Sequence, residues 1–317
     1  TTTAGTSNLR LGVNAGNSIA SGGNYNVVLG DEAGTAITTG DNNVAIGYTA
    51  GDAITTGGVN VAIGHSALTT DTKGKNSVAI GFSALENQNF STETDAYNVA
   101  VGSKAGEAVT TGVQNTIIGA LAGDALTDSG PVVAVGYEAL STEDRDGGGT
   151  TAIGYQALKT QNAGATAYNT AVGWNAGLSV TTGVDNTLIG GLAGDALTDA
   201  DNNVAVGRSA LGSDTLGSKS TALGRGALGA QNFTTATDSN NTAVGYTAGN
   251  SVTTGTNNSF LGAAAGLNVT TGINNTLIGS LAGDALTDAD ENVAVGFAAL
   301  GVDTLGSKST AIGRSAL

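Results

Sequence analysis

The chain has 317 residues and a formal net charge of −15, with 51 glycines, 4% aromatic residues, one proline and neither cysteine nor methionine. So few large side chains exclude a thick conventional core, and the lack of cysteine excludes disulfides and zinc–thiolate sites. An acidic chain without a basic stripe argues against nucleic acid as a partner. No apolar run of about 18 residues is present, so no membrane insertion is expected.

A ten-residue phrase recurs along the chain, with copies that begin at Asn42 (NNVAIGYTAG), Tyr168 (YNTAVGWNAG) and Asn240 (NNTAVGYTAG). Each copy holds an aliphatic residue followed by a glycine, here called the anchor glycine, and one short period separates most neighbouring anchors. A short fixed period is typical of solenoids, in which single units cannot bury their apolar face alone and must stack. The sequence therefore predicts an all-β fold, a parallel β-solenoid (β-roll or β-helix) of about eighteen 17-residue turns. The anchors are Gly12, Gly30, Gly47, Gly64, Gly81, Gly102, Gly119, Gly136, Gly154, Gly173, Gly190, Gly207, Gly224, Gly245, Gly262, Gly279, Gly296 and Gly313.

Three positions around the anchor define the turn. The residue before it is always Ile, Val or Leu, the residue three after it is always Ala, and the residue four after it is always Gly or Leu. The β-branched segment before the anchor predicts a strand of about five residues that ends at a glycine bend. Representative structural repeat positions are Gly47, Ala50, Ile63, Gly64, Gly154, Ala157, Gly245 and Ala248.

Strand alternation divides the segment before the anchor into two faces. We expect the aliphatic residue before the anchor, such as Ile63, to face the solenoid interior. The residue between it and the preceding Val or Thr, usually Ala, would then face outward. In four turns this middle strand residue is large while the residue after the anchor is small. In most other turns the middle residue is Ala and the residue after the anchor is large, as Trp174 is. We therefore expect these positions to share one space and to form an apolar seam between chains. The candidate seam residues are Ile117, Leu188, Phe260, Leu277 and Trp174. A single chain that covers both faces internally is the alternative.

The Gly-or-Leu choice four residues after the anchor follows a higher-order pattern of GGGLL, GGLL, GGLL and GGGLL. In Gly turns an aliphatic residue lies seven after the anchor, as Ile54 does, so we expect two ways of filling one core site. The pattern indicates one continuous repeat rod over residues 1–317, with modules at about 1–85, 86–158, 159–228 and 229–317. At roughly 4.8 Å per turn the rod would be about 85 Å long. Because the pattern has no polar capping turn, we expect other fibre segments at both ends.

Longer spacings insert loops at 86–98, 159–169 and 229–241, each with Gln-Asn at a matching place. Protruding loops favour binding, which makes Asn89, Phe90, Asn232 and Phe233 candidate contacts for a glycan or receptor. The two phenylalanines could equally tuck under their own loops.

No catalytic constellation is evident, and no enzyme activity is predicted. The single histidine, His65, follows an anchor where other turns carry Tyr, Phe or Arg, and we expect it to fill the same volume. No cofactor is predicted. Calcium is an open alternative at TDADNN (198–203) and TDADEN (287–292), which carry oxygen ligands but lack the glycine-rich nonapeptide of calcium-binding β-rolls. Recurrent Thr-Thr-Gly segments could form a threonine ladder that binds ice or glycan, or could simply be exposed strand residues.

The segments SVAIGFSAL (77–85) and NVAIGHSAL (60–68) resemble the head repeats of YadA-like trimeric autotransporter adhesins. The longer NTAVGYTAG and VTTGTNNS phrasing is similar to repeat regions of bacteriophage tail fibres. The resemblance covers essentially the whole chain, although the period is longer than the roughly 14-residue adhesin head unit. It implies a homotrimer and no catalytic residues. We therefore expect a structural fibre or attachment protein, a phage tail fibre or a surface adhesin shaft. It would be extracellular, on a virion tail or cell surface, and would bind a host surface glycan or receptor. The alternatives are a monomeric threonine-ladder solenoid and a glycan-degrading tail spike.

Overall fold

The computed structural model describes residues 5–144 and 148–317. These residues form two compact units. One contains residues 1–155 and 162–166, and the other contains residues 156–161 and 167–317. Each unit is built from short parallel strands without any helix in its described part, so the predicted parallel β-solenoid of short repeated turns is confirmed.

In the first unit, nine three-residue strands lie one per turn, and two shorter strands pair at the long loop. The long strands run parallel to each other in register, with partners one turn apart, as Ala45 pairs with Ala62. The strands are β1 (Leu9–Leu11), β2 (Val27–Leu29), β3 (Val44–Ile46), β4 (Val61–Ile63), β5 (Gly74–Lys75), β6 (Val78–Ile80), β7 (Thr94–Asp95), β8 (Val99–Val101), β9 (Thr116–Ile118), β10 (Val133–Val135) and β11 (Thr151–Ile153).

The second unit repeats this plan. Its three-residue strands also pair in parallel from turn to turn, and β15 pairs with β17 at the long loop. The strands are β12 (Thr170–Val172), β13 (Thr187–Ile189), β14 (Val204–Val206), β15 (Gly217–Ser218), β16 (Thr221–Leu223), β17 (Thr237–Asp238), β18 (Thr242–Val244), β19 (Ser259–Leu261), β20 (Thr276–Ile278), β21 (Val293–Val295) and β22 (Thr310–Ile312).

The anchor glycine lets the strand bend where neighbouring turns touch. Gly47 has φ of +130°, and a Cβ at that position would lie 2.7 Å from the carbonyl oxygen of Gly64. No other residue fits both the backbone conformation and the contact. The anchors thus form a column of close backbone approaches, which explains their invariance.

The two strand faces are the reverse of the prediction from sequence. The middle strand residue is buried within its own chain, as Ala45 and Ala62 are, whereas Ile46 and Ile63, one before their anchors, face outward and are only half-buried. The reason is the width of the turn. Opposite walls are so close that alanine fills the strand side of the core in most turns, and a larger side chain fits there only where glycines face it.

Four of the five predicted seam residues are therefore interior residues. Ile117, Leu188, Phe260 and Leu277 are at most 1% exposed inside a single chain, so they cannot meet a partner. They also share no space with the residue after the anchor, because that residue lies on the outside of the turn, as the 54% exposed Tyr48 does. Only Trp174, which is 54% exposed, is available at the surface.

The large interior residues are explained by what faces them across the core. Phe260 packs between Gly249 and Gly266, where an added Cβ would lie 2.6 and 2.5 Å from its ring. Ile117 packs likewise near Gly106 and Gly123. These four large residues occur only where their own turn and the preceding turn both carry Gly four residues after the anchor. The predicted exchange of volume with the residue after the anchor is therefore wrong, and the middle strand residue exchanges volume instead with the residue four after the anchor, across the core.

The two predicted ways of filling one core site are confirmed. In Gly turns the aliphatic residue seven after the anchor is fully buried, and the Cδ1 atom of Ile54 lies 2.9 Å from the place where a Cβ of Gly51 would be. In Leu turns the leucine itself, such as Leu68, is fully buried with φ of 51°. The same space is therefore occupied from either of two positions.

Gly51→Leu should destabilise the first unit by about 1–3 kcal/mol, because the new side chain would overlap with Ile54. The double variant Gly51→Leu with Ile54→Ala should recover at least about 1 kcal/mol, since the leucine would fill the space that Ile54 leaves, on a backbone conformation that leucine already adopts at Leu68. Urea unfolding of both variants and of Ile54→Ala measures this coupling. A double variant no more stable than Gly51→Leu would contradict the shared site.

Buried asparagines, each four residues before an anchor, form a ladder that links successive turns. The backbone N–H of Asn43 donates to the Oδ1 of Asn26 (2.9 Å), and the backbone N–H of Asn60 donates to the Oδ1 of Asn43 (3.1 Å). The Nδ2 of Asn43 donates to the carbonyl oxygen of Gly57 (3.0 Å). Each asparagine thus satisfies at least one backbone group of the next turn that would otherwise be buried without a partner, and Asn115 does so through its Oδ1 alone while its buried Nδ2 has no partner among the described residues. The fully buried members are Asn26, Asn43, Asn60, Asn98, Asn115, Asn169, Asn186, Asn203, Asn241, Asn258, Asn275 and Asn292.

Candidate interaction surfaces

The outward side of the strands, here called the strand face, consists of the residues one and three before each anchor. All the residues one before the anchor are aliphatic, and several remain well exposed, including Ile118 (38%), Ile189 (38%) and Leu261 (49%). The residues three before are mostly Val in the first unit and mostly Thr in the second. No residue of the strand face is charged, so each unit carries an uncovered and uncharged sheet face, which is aliphatic over most of the first unit and combines aliphatic with hydroxyl-bearing residues in the second.

The residues directly after the anchors form a second exposed line, here called the bend row. In the first unit the ring of His65 lies 5.2 Å from that of Tyr48 and 5.3 Å from that of Phe82, and Tyr137 stacks on Tyr155 at 5.5 Å. His65 thus takes the same place as the aromatic residues of other turns, as expected, and its Nδ1 is 2.9 Å from the hydroxyl of Ser66.

In the second unit the bend row carries arginine beside aromatic residues. The guanidinium of Arg225 lies 5.7 Å from the ring centre of Tyr246, and that of Arg314 lies 5.7 Å from the ring centre of Phe297. These distances are within the range of cation–π attraction. The row is thus mainly aromatic in the first unit, where Asp31 is its one acidic residue, and partly cationic in the second.

The two loop phenylalanines proposed as receptor contacts are not surface residues. Phe90 and Phe233 are each 5% exposed, and the ring of Phe90 packs onto Gly74, whose hypothetical Cβ would lie 2.9 Å from it. The loops fold back because aromatic rings gain more from burial than from exposure. Asn89 and Asn232 stay exposed, and each Oδ1 accepts a hydrogen bond from a threonine hydroxyl of the preceding turn (3.1 Å).

Beneath each of these loops lies a buried acid–glutamine pair that the sequence analysis missed. The Nε2 of Gln88 donates to the Oδ2 of Asp71 (2.7 Å) and to the hydroxyl of Ser77 (3.1 Å). The Oδ1 of Asp71 accepts from the backbone N–H groups of Gly74 and Phe90. The recurrent Gln-Asn of the inserts was the available signal, because its glutamine always lies seven after an anchor, where Gly turns place an aliphatic residue.

The second unit holds the same arrangement at Asp214, Gln231, Ser220 and Phe233. Both acids and both glutamines are fully buried. A buried carboxylate is tolerated when its oxygens are satisfied in this way. The pairs therefore hold the long loops in place, and nothing in them points to a ligand.

The segments that suggested calcium use their carboxylates to join turns. The Oδ1 of Asp201 accepts from the backbone N–H of Val184 (2.8 Å), and the Oδ1 of Asp199 accepts from the hydroxyl of Thr182 (2.5 Å). Asp290 bonds Ile273 in the same manner (2.8 Å). Residues 5–144 and 148–317 contain no group of three His, Asp or Glu side chains placed to hold a metal ion.

Other charges are paired at the surface or perturbed by burial. Lys75 pairs with Glu93 and Lys219 with Asp238, both at 2.6 Å. The hydrogen bond from Lys75 lowers the pKa of Glu93. Partial burial raises the pKa values of three aspartates that lie five residues after their anchors, namely Asp124, Asp195 and Asp284.

No helix in the described part of the chain is long and apolar enough to cross a membrane. The division into four modules and the absence of enzyme activity stay predictions. Comparison of the chain with protein-family models, with curated proteins and with solved structures finds no match.

Proposed function

We propose that the protein is a structural segment of an attachment fibre, on a virion tail or a cell surface, and that it assembles as a homotrimer through its strand faces. The observation that carries the proposal is the apolar strand face on a parallel sheet. Parallel sheets are almost always covered on both faces. In each unit the inner face is covered by the chain's own core, and the outer face has no cover within that chain.

A second copy of the same chain is the cover that fits best. Turns repeat at roughly 4.8 Å, and a surface with the same spacing can pack every aliphatic residue in an equivalent place. A contiguous uncharged stripe of this kind marks an interaction site in soluble proteins. The resemblance to trimeric adhesin heads and tail-fibre repeats favours three chains over two.

The available area is also sufficient. A fully buried aromatic side chain accounts for about 150–250 Å², so a half-exposed one offers about 100 Å². Four aromatic residues of the first unit's bend row, which flanks the strand face, are 43–54% exposed: Tyr48, Phe82, Tyr137 and Tyr155. In the first unit they bring about half of the roughly 800 Å² per partner that a stable interface needs, before the aliphatic residues are counted. The bend row of the second unit, which carries arginines, is not counted in the proposed interface.

The threonine ladder gives less support to an ice-binding role. The hydroxyl of Thr38 donates to the carbonyl oxygen of Thr55 (3.1 Å), and that of Thr253 donates to the carbonyl oxygen of Thr270 (3.2 Å). These hydroxyls thus join one turn to the next, which leaves fewer donors for a flat ice-ordering surface.

The absolute mass in solution, measured by light scattering, tests the proposal. The chain mass is 30.6 kDa, and a trimer would give about 92 kDa. Ile46→Asp with Ile63→Asp should lower the mass to that of one chain, because two charges would be buried in each interface. The folded structure should persist, since both side chains point outward.

A matched control adds the same charges to the same two turns. Asn42→Asp with Val59→Asp places them at exposed residues five before the anchors, where the backbone is left-handed and polar residues are common. This variant should keep the mass of the native protein. A native mass equal to that of a single chain, or equal dissociation of both double variants, would overturn the strand-face assembly.

A further inference from the structure

A hollow of about 310 Å³ opens on three successive turns of the second unit. Its walls include Arg208 and Arg225 of the bend row, and its floor extends to Gly229 and Asn250, five residues after their anchors. The hollow therefore reaches away from the strand face and lies wholly within one chain. Its volume is at the lower end of the range typical of small-molecule sites, about 300–1,000 Å³.

Two arginines face this hollow, and none of the residues that line it is acidic. Arg225 donates through Nη1 to the hydroxyl of Tyr246 (3.0 Å), and no hydrogen bond or ion pair occupies Arg208 in the described residues. Like charges on neighbouring strands repel each other. The chain has a net charge of −15, yet no carboxylate pairs with either arginine in the described residues.

Two glycines keep the hollow open. A Cβ at Gly229 would lie 2.6 Å from the Nδ2 of Asn250, and one at Gly226 would lie 3.3 Å from the same atom. That nitrogen donates to the carbonyl oxygen of Gly226 (2.8 Å), which fixes the amide at the floor. Hydroxyls of Ser209 and Thr247 complete the polar lining.

The corresponding turns of the first unit provide an internal comparison. They keep the same buried acid–glutamine pair and the same buried phenylalanine. At the positions of Arg208, Arg225, Gly226 and Gly229, however, they carry His65, Phe82, Ser83 and Glu86. In the third turn the first unit carries Lys104 and Glu107, which pair with each other, in place of Thr247 and Asn250. The scaffold is therefore repeated, while the two arginines and the two floor glycines belong to the second unit alone.

We propose that this hollow, here called the arginine pocket, binds the oxyanion of an acidic sugar, a carboxylated or sulfated glycan residue. Guanidinium groups are suited to planar, two-point recognition of such anions. The hydroxyl groups of Ser209 and Thr247 and the side-chain amide oxygen of Asn250 match the hydroxyl groups of a sugar ring. The arginine pocket would give the attachment role proposed above a class of ligand, and its biological meaning rests on that role. Binding itself needs only one chain, because all the residues that line the pocket belong to one chain.

Calorimetric titration at fixed salt tests the proposal with four probes, namely oligogalacturonate, sialyllactose, a sulfated galactan oligosaccharide and neutral maltohexaose. At least one acidic probe should bind, and the neutral one should not. Arg208→Gln with Arg225→Gln should weaken that binding about tenfold or more, because hydrogen bonds to a charged group are lost. Preference for the carboxylated or for the sulfated probes identifies the source of the anion.

A charge-matched control removes two cations elsewhere in the same unit. Lys308→Gln with Arg314→Gln should leave binding within about twofold, since local contacts rather than net charge hold the ligand. Gly229→Glu, which installs the residue of the corresponding first-unit turn, should abolish binding with an unchanged circular dichroism spectrum. Absence of binding by every acidic probe, or equal loss in both double variants, overturns the proposal.

Light scattering on the same variants separates this proposal from the trimer. Arg208→Gln with Arg225→Gln should keep the native mass, and so should Lys308→Gln with Arg314→Gln. If Arg208→Gln with Arg225→Gln instead lowers the mass, the arginines contact another copy of the chain and the arginine pocket is not a glycan site. If the native protein is a single chain that still binds an acidic probe through these arginines, the strand-face assembly fails and the pocket stands.

Discussion

Replacing Ala157 with Glu is expected to unfold the second unit or to destabilise it by about 4–7 kcal/mol, the cost of shifting a buried carboxyl pKa by about 3–5 units. Ala157 lies three after its anchor, is fully buried, and precedes Leu158, whose backbone N–H donates to the carbonyl oxygen of Ala176 in the next turn (3.0 Å). Adjacent turns leave no space for a longer side chain and no route to water. A loss of that size is comparable to the whole stability of an ordinary domain.

Ala165→Glu is the control, because it makes the same change at an exposed alanine of the neighbouring long loop. Its effect on the free energy of unfolding should stay within about 0.5 kcal/mol. Thermal unfolding followed by circular dichroism compares the two. A similar midpoint for both variants would contradict the alignment of turns around this alanine.

Replacing Asn258 with Leu is expected to cost about 2–4 kcal/mol in the second unit, since at least two buried backbone groups would lose their partners. The Oδ1 of Asn258 accepts from the backbone N–H of Asn275 (2.9 Å), and its Nδ2 donates to the carbonyl oxygen of Gly272 (2.8 Å). Leucine has a similar volume but no polar atom, so both groups would be buried without a hydrogen bond. Chemical denaturation gives the change in free energy.

Asn268→Leu provides the comparison, because this asparagine is exposed and donates once, to the carbonyl oxygen of Asp284 (2.8 Å). Water can replace that bond, so a change below about 1 kcal/mol is expected. If the two variants unfold at the same denaturant concentration, the asparagine ladder contributes nothing beyond ordinary surface contacts.

The repeat period and the parallel solenoid could be predicted because they depend on spacing alone, and the exchange of Gly51 with Leu68 followed from the same spacing. The face of the strand that lies inside could not be predicted. Alternation puts Ala45 and Ile46 on opposite faces, but it does not determine which of the two faces the core. Hydrophobicity pointed to Ile46. The narrow core, visible only when opposite walls are placed together, reversed the answer and moved the apolar surface outside.

For the surface sites, too, the features that depend on the repeat period could be predicted, and those that depend on how loops pack between turns could not. Arg208 and Arg225 are separated by one full period, so the period alone placed them on adjacent turns. The floor made by Gly229 and Asn250 joins two turns at a long insert, where the anchors are further apart than the period and the sequence gives no register. The burial of Phe90 likewise depended on a fold-back that composition does not reveal.

The asparagine ladder makes the whole turn the natural unit of evolutionary change. Deleting one full period between the equivalent positions Gly47 and Gly64 would rejoin matching backbone, so the ladder and the strand pairing would continue. A deletion that did not join equivalent positions of two turns would move the asparagine and the strand out of register with their neighbours. Recombination between repeats can thus lengthen or shorten the chain in whole turns, provided that a residue as large as Ile117 keeps glycine in its own turn and in the turn before it.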